Sequence, residues 1–186
     1  RFDLRPGVLP FNAANLCPTS MPVVEALERN TRFLVADPSS ASRARLGEGR
    51  EESRRLIAEA LGVTAEEIVI TRNTSEANNL VSSGLELKPC DEVVVFGDNH
   101  PSNLAAWRQK AQRFGFVVIE VPAVTPHPGG DAYVDAFARA LTPRTRVLAM
   151  THVTNTIGDR LPVEQLCGTA RDRGVLSIVD GAQTFG

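Results

Sequence analysis

Several signals that would assign this chain to a common functional class are absent from its 186 residues. No apolar run approaches the ~18 residues that a membrane-spanning helix needs, so no membrane segment is predicted. The net charge is -2, and no basic face stands out, which argues against nucleic acid or a membrane surface as a partner. Lysine is nearly missing, with only Lys88 and Lys110 present. Residue 1 is Arg rather than Met, which indicates a trimmed or processed N-terminus.

Cysteine and histidine are too sparse for a disulfide framework or a metal site. The three cysteines, Cys17, Cys90 and Cys167, are odd in number and widely spaced, which fits a reducing compartment such as the cytoplasm. There is no Cys-x-x-Cys pair, and the histidines are scattered along the chain. No metal is therefore predicted.

The common sequence motifs of nucleotide-binding proteins and hydrolases are also missing or incomplete. Gly47 and Gly49 match the first two glycines of a dinucleotide fingerprint, but Glu52 takes the third place and no strand precedes it. There is neither a Gly-Lys-Ser/Thr phosphate loop nor a Gly-x-Ser-x-Gly elbow. A nucleotide-dependent oxidoreductase on a doubly wound sheet is therefore a disfavoured alternative.

What the sequence does contain is a regular alternation of helices and strands. After an irregular segment at residues 1–21, apolar spacing predicts helices at 22–36 and 46–61, and residues 68–71 favour a strand over the short capping box at Thr64 and Glu67. Further helices are predicted at 75–87, 102–114, 133–141 and 163–173, and strands at 92–96, 116–121, 146–151 and 175–180. This order predicts an α/β fold with a mostly parallel sheet, in which residues 22–186 form one large domain.

Polar residues follow the predicted strands, where ligands bind in open parallel sheets. Thr74 and Ser75 lie at a predicted helix N-terminus, whose free N–H groups suit a phosphate. A plain N-cap by Asn73 or Thr74 is the alternative. His100 has a flat ring that could stack on a planar cofactor or move protons, or it is a surface loop residue.

Two further polar groups follow later strands. The amide of Asn155 is a candidate donor to a phenolate oxygen, with an Asx turn as the alternative. Asp180 ends an apolar strand, where a carboxylate is more often a ligand contact or a cap than solvated surface. Such an acid can pair with a protonated heteroaromatic nitrogen.

Taken together, in this order and spacing, these segments resemble the class V aminotransferase family of fold-type I enzymes, which use pyridoxal 5'-phosphate (PLP). That family includes cysteine desulfurases, selenocysteine lyases, cysteine C–S lyases and isopenicillin N epimerase-like proteins. The run Asp180-Gly-Ala-Gln183 is the most specific part of the likeness. The resemblance implies a three-layer sandwich that is incomplete at its C-terminus, and an amino acid substrate. The reaction would be transamination, C–S cleavage or epimerisation through an external aldimine.

The resemblance also implies a role for each site residue. Catalytic roles fall to His100, stacked on the pyridine ring, and to Asp180, the pyridinium partner. The remaining cofactor contacts are Thr74 and Ser75 at the phosphate, and Asn155 and Gln183 at the ring oxygen. The substrate side would be lined by Asn12, Ala13 and Ala14.

Finally, the resemblance implies that the Schiff-base lysine, in a His-Lys context, and a small C-terminal domain lie beyond residue 186. Neither Lys88 nor Lys110 matches that motif, so this chain alone is expected to be inactive. The intact protein is expected to be a homodimer. A non-catalytic scaffold that keeps the cofactor cradle is the alternative.

Overall fold

A computed structural model describes residues 2–11, 13–14 and 16–185. The chain divides into two compact units, Arg1–Ile70 and Thr71–Gly186. Within the described part of the chain, no helix is both long enough and apolar enough to cross a membrane.

The described part of the first unit contains two α-helices. Helix α1 spans Met21–Ala36 and has Pro22 in its first turn. Helix α2 spans Ser40–Leu61 and ends at Gly62, whose φ of 69° is left-handed. The sequence prediction began α2 at residue 46, which is too late. The Ser39 hydroxyl caps the helix by accepting a hydrogen bond from the Ser42 N–H at 3.3 Å, so a polar first turn without apolar periodicity is still helical.

The predicted strand at residues 68–71 is wrong. The capping box of Thr64 and Glu67 forms and closes a 3₁₀ turn at Ala65–Glu67, and the chain after it is extended but unpaired. The guanidinium of Arg54 donates to the Ile68 carbonyl at 2.9 Å. This backbone carbonyl would otherwise be an acceptor for pairing with a neighbouring strand.

The described part of the second unit is an α/β structure with four parallel strands, as the sequence predicts. Its helices are α3 (Thr74–Gly84), α4 (Pro101–Phe114), α5 (Gly130–Ala140) and α6 (Val163–Asp172). Its strands are β1 (Glu92–Phe96), β2 (Val117–Val121), β3 (Thr145–Thr151) and β4 (Leu176–Asp180), in the order β2-β1-β3-β4. Helix α3 ends at Gly84, earlier than predicted, because Leu85 turns to extended backbone.

Helices cover both faces of this sheet. Trp107 of α4 packs with Val95 on one face. Phe137 of α5 and Leu166 of α6 pack with Phe96 on the other. Adjacent strand residues point to opposite faces, which is why Val95 and Phe96 belong to different cores. The unit therefore has three layers, helix–sheet–helix.

The strand order contains a reversal that positions the site. The chain leaves β1 for β2 on one side, then crosses back past β1 to β3 and on to β4. Connections leave β1 and β3 in opposite directions, which opens a crevice at their carboxyl ends. The residues that follow β1, β3 and β4 all lie along that edge.

Candidate functional site

Asp180 is a buried carboxylate at the carboxyl end of β4. It is 6% exposed and pairs in register with Thr151 of β3. Its Oδ1 accepts from the Ala182 N–H and its Oδ2 accepts from the Asn78 side-chain amide, both at 3.1 Å. No salt bridge to Asp180 is formed within the described residues. A buried carboxylate held by neutral donors can still accept a cationic partner.

The N-terminus of α3 combines a cap with open donors. Asn73 caps it by accepting from the Glu76 N–H at 2.9 Å. The backbone N–H groups of Thr74 and Ser75 have no acceptor among the described residues, as is usual for the first turn of a helix. The cap and the phosphate seat, which the sequence left as alternatives, are therefore compatible.

An acidic side chain in the same turn is neutralised by its neighbour. The Arg72 guanidinium donates to the Glu76 carboxylate at 2.8 Å, and this hydrogen bond is the main cause that lowers the pKa of Glu76. Arg72 therefore offsets the one negative charge that would oppose an anion at this helix end.

His100 and Ser75 are joined through a residue that the sequence prediction did not select. His100 is exposed and caps α4, and its Nδ1 accepts from the Ser102 N–H at 3.2 Å. The Ser102 hydroxyl lies 2.8 Å from that nitrogen. The Ser75 hydroxyl donates to the Ser102 hydroxyl, also at 2.8 Å. Because Nδ1 accepts, the neutral ring carries its proton on Nε2.

Three hydrogen bonds tie the loop after β1 to strand β3 and to the loop that follows β3. Asn99 is 3% exposed; its amide donates to the Ala149 carbonyl at 3.1 Å and its oxygen accepts from the Thr151 N–H at 2.7 Å. The Thr156 hydroxyl donates to Asp98 at 2.5 Å. The crevice between β1 and β3 thus has rigid, hydrogen-bonded edges.

Asn155 and Gln183 lie in neighbouring turns at the same sheet edge. Asn155 is half-buried in the turn after β3, and Gln183 is exposed in the turn after β4. His152 Nδ1 and the Thr184 hydroxyl, 3.0 Å apart, join these two segments. The contact of Asn155 and Gln183 with a ring oxygen stays a prediction.

The residues expected on the substrate side belong to the first unit, whereas the site residues described above belong to the second. Ala13 is exposed and Ala14 is half-buried, and both belong to the first unit. Asn12 lies outside the described residues. Their role also stays a prediction.

The sequence reasoning overlooked three residues of the site: Asn78, Ser102 and Asn99. Helical spacing could have found Asn78, because it lies one turn after Thr74 and Ser75 and therefore shares their face of α3. No comparable signal marks Asn99, whose partners lie 50 and 52 positions further along the chain.

Comparison with known proteins gives consistent matches. A model of the family described as aminotransferase class-V matches residues 16–186. A probable cysteine desulfurase of Methanothermobacter thermautotrophicus is 32% identical over 179 residues, which are 95% of this chain and 44% of that protein. An isopenicillin N epimerase of Amycolatopsis lactamdurans is 33% identical over 188 residues, which are 99% and 47% of the two proteins. The chain spans less than half the length of these relatives.

Solved structures agree with these matches. A mutant of C-DES with glycine covalently linked to its PLP cofactor superposes with a TM-score of 0.86 at 26% identity, over 94% of this chain and 46% of that one. An apo cysteine desulfurase from Thermococcus onnurineus NA1 superposes with a TM-score of 0.78 at 30% identity, over 94% and 44%.

Proposed function

The chain belongs to the class V aminotransferase family, and on that premise we propose that the whole protein is a PLP-dependent enzyme acting on an amino acid. The observation that carries the proposal is the hydrogen bond between Asp180 and Asn78. It links a buried carboxylate at the end of β4 to the helix whose N-terminus presents Thr74 and Ser75. Within one unit, an anion suited to a ring nitrogen and donors suited to a phosphate are thereby connected.

The donor set fits PLP in chemical terms. Asp180 is buried, has two neutral donors and faces no cation among the described residues, so a protonated pyridine nitrogen would complete its surroundings. At the start of α3, the free N–H groups and the hydroxyls of Thr74 and Ser75 suit a dianionic phosphate.

When bound, PLP supplies an electron sink for the bonds at the α carbon of an amino acid. Asp180 would keep the proton on the ring nitrogen. His100 would stack on the ring, and its Nε2 proton would be the one available for transfer, because Nδ1 is held by Ser102. Asn155 and Gln183 would donate to the ring oxygen. These assignments cover every cofactor contact that the resemblance predicts within this chain.

For the reaction itself, we propose chemistry at the α or β carbon, either C–S bond cleavage or epimerisation. The support is that the relatives include probable cysteine desulfurases and an isopenicillin N epimerase. The two are separable by product, since the whole protein supplied with L-cysteine would release a sulfur product in the first case. In the second case, an L-amino acid substrate would lose optical purity without losing sulfur.

Two further properties of the whole protein are proposed. A homodimer is supported by the exposed apolar side chains of the first unit, which include Leu9, Phe11 and Leu16, because burying such groups is favourable. Analytical sedimentation of the whole protein tests it, and a monomer would contradict it. A cytoplasmic location is supported by Cys17 and Cys90, which are exposed and free.

The test of the main proposal is a PLP titration of the whole protein, followed by visible absorption and equilibrium dialysis. Saturable binding is expected, and it should weaken strongly in Asp180→Ala. The matched control is Asp135→Ala, because Asp135 is exposed on α5. Absence of saturable binding, or equal weakening in both variants, would overturn the proposal.

A further inference from the structure

Asn78 contacts Asp180 but is not itself among the residues assigned to the cofactor. Its side-chain amide donates to Asp180 Oδ2 at 3.1 Å, across 102 positions of sequence. Asn78 is half-buried on α3, and its neighbour Asn79 takes no part in this bond. Asn79 instead accepts from Lys110 at 3.1 Å and donates to the Ser75 carbonyl at 2.9 Å. The two adjacent asparagines thus serve different parts of the structure.

The two donors to Asp180 act on different oxygens. Ala182 donates its backbone N–H to Oδ1, and Asn78 donates its side-chain amide to Oδ2. One donor on each oxygen fixes the rotation of the carboxylate about its χ2 bond, a torsion that is otherwise broad. The backbone donor comes with the turn after β4, whereas the second donor depends on the identity of residue 78.

Asn78 also couples Asp180 to the start of α3. Ser75 lies on the same helix face, one turn before Asn78. Its hydroxyl in turn donates to Ser102, which holds His100. The side chain at position 78 therefore connects the end of β4 to the segment that carries Thr74, Ser75 and, through Ser102, His100.

We propose that Asn78 is a positioning residue, which sets the angle of the Asp180 carboxylate and keeps that carboxylate in register with the phosphate seat on α3. The inference rests on the proposed function, since both groups are assigned to PLP there. Through Asn78 and Asp180, helix α3 would influence whether the ring nitrogen of PLP keeps its proton. If Asn78 only tied α3 to the sheet, replacing it would leave the protonation of the PLP ring nitrogen unchanged.

The experiment uses the whole protein loaded with PLP labelled with ¹⁵N at the ring nitrogen. Asn78→Leu keeps the branched shape of the side chain without its donor, and Asn78→Ala removes both. The matched control is Asn79→Ala, on the same helix. The readouts are the dissociation constant of PLP from equilibrium dialysis and the ¹⁵N chemical shift of the ring nitrogen, with thermal unfolding of the PLP-free protein as the check on folding.

Both Asn78 variants are expected to weaken PLP binding about tenfold, which corresponds to about 1.4 kcal/mol. Their ring-nitrogen shift should move towards that of Asp180→Ala, whereas Asn79→Ala should stay within about twofold of the wild-type affinity with an unchanged shift. If Asn78→Ala does not fold, Asn78→Leu decides alone. Wild-type affinity and shift in a folded Asn78 variant would overturn this inference and leave the proposed function standing. A wild-type protein that binds no PLP would overturn both.

Discussion

Asp180→Asn should separate the stability of the whole protein from its activity. The substitution keeps the shape of the side chain and one acceptor oxygen. That oxygen can still accept from the Ala182 N–H, and Asn78 can rotate its amide to offer its own oxygen to the new amide group. Two charge-assisted hydrogen bonds become neutral ones, so we expect a loss of about 1–3 kcal/mol in the free energy of unfolding.

The expected effect on activity is much larger. A carboxylate about 4 Å from a cationic ring nitrogen, at an effective dielectric constant of about 20, contributes about 4 kcal/mol of attraction. Asp180 is 6% exposed, so little solvent screens this pair. Without this attraction the ring nitrogen would lose its proton, and the ring would stabilise negative charge in the transition state less well. A loss of at most these ~4 kcal/mol lowers kcat/KM by up to about a thousandfold. Asp180→Ala should lose at least as much activity and be less stable, because it leaves two donors without an acceptor.

The assay pairs steady-state kinetics of the whole protein with urea unfolding of the same preparations. Asp135→Asn, on the exposed face of α5, serves as the control and should match the wild type in both. If Asp180→Asn keeps kcat/KM within about tenfold of the wild type, the pyridinium role of Asp180 is refuted. If it loses activity only in proportion to unfolded protein, the electrostatic reasoning fails.

Three further predictions concern other parts of the second unit. Ser102→Ala removes the link between Ser75 and His100, so PLP affinity in equilibrium dialysis should fall about three- to tenfold; no change would contradict that link. Glu92 is buried, and hydrogen bonds led by the one from Thr142 lower its pKa below 4.5 in the folded protein. As the pH falls, Glu92 therefore takes up its proton in the unfolded chain before it does so in the folded protein. Its stabilisation is therefore complete above pH 4.5 and is lost on acidification below it, and Glu92→Gln should flatten this loss in urea unfolding at several pH values. Phe137→Ala, at a fully buried site, should cost about 3–5 kcal/mol in the same unfolding assay, and a cost below 1 kcal/mol would show a loosely packed core.

The parallel-sheet architecture was readable from sequence because its signals are local. Strands such as β1 contain short unbroken apolar runs, here residues 93–96, and turn residues such as Gly115 mark the ends of the helices between them. The errors arose where side chains override local pattern. Arg54 takes the Ile68 carbonyl, so residues 68–71 do not pair as a strand, and Ser39 starts α2 in a stretch without apolar spacing.

The candidate site shows the same division. Asp180, at the end of a strand, and His100, in the loop after one, could be selected from sequence because topology alone sends both to one edge of the sheet. Asn99 was missed because its partners are 50 and 52 positions away and only the packed structure brings them together. Asn78 could have been selected from its helical spacing to Thr74 and Ser75, but its bond to Asp180, 102 positions away, could not. Burial was inferred for Asp180 because a carboxylate that ends an apolar strand is more often a ligand contact or a helix cap than a solvated surface group, and Asp180 is buried in the structure.

The most direct test of the PLP site is a crystal structure of the whole protein with PLP. We expect the ring nitrogen within about 3 Å of an Asp180 carboxylate oxygen and the phosphate within hydrogen-bond reach of the Thr74 and Ser75 N–H groups. His100 should lie against the face of the ring, with its Nδ1 still on Ser102. A ring nitrogen that faces another group, or a phosphate bound away from the start of α3, would contradict the account.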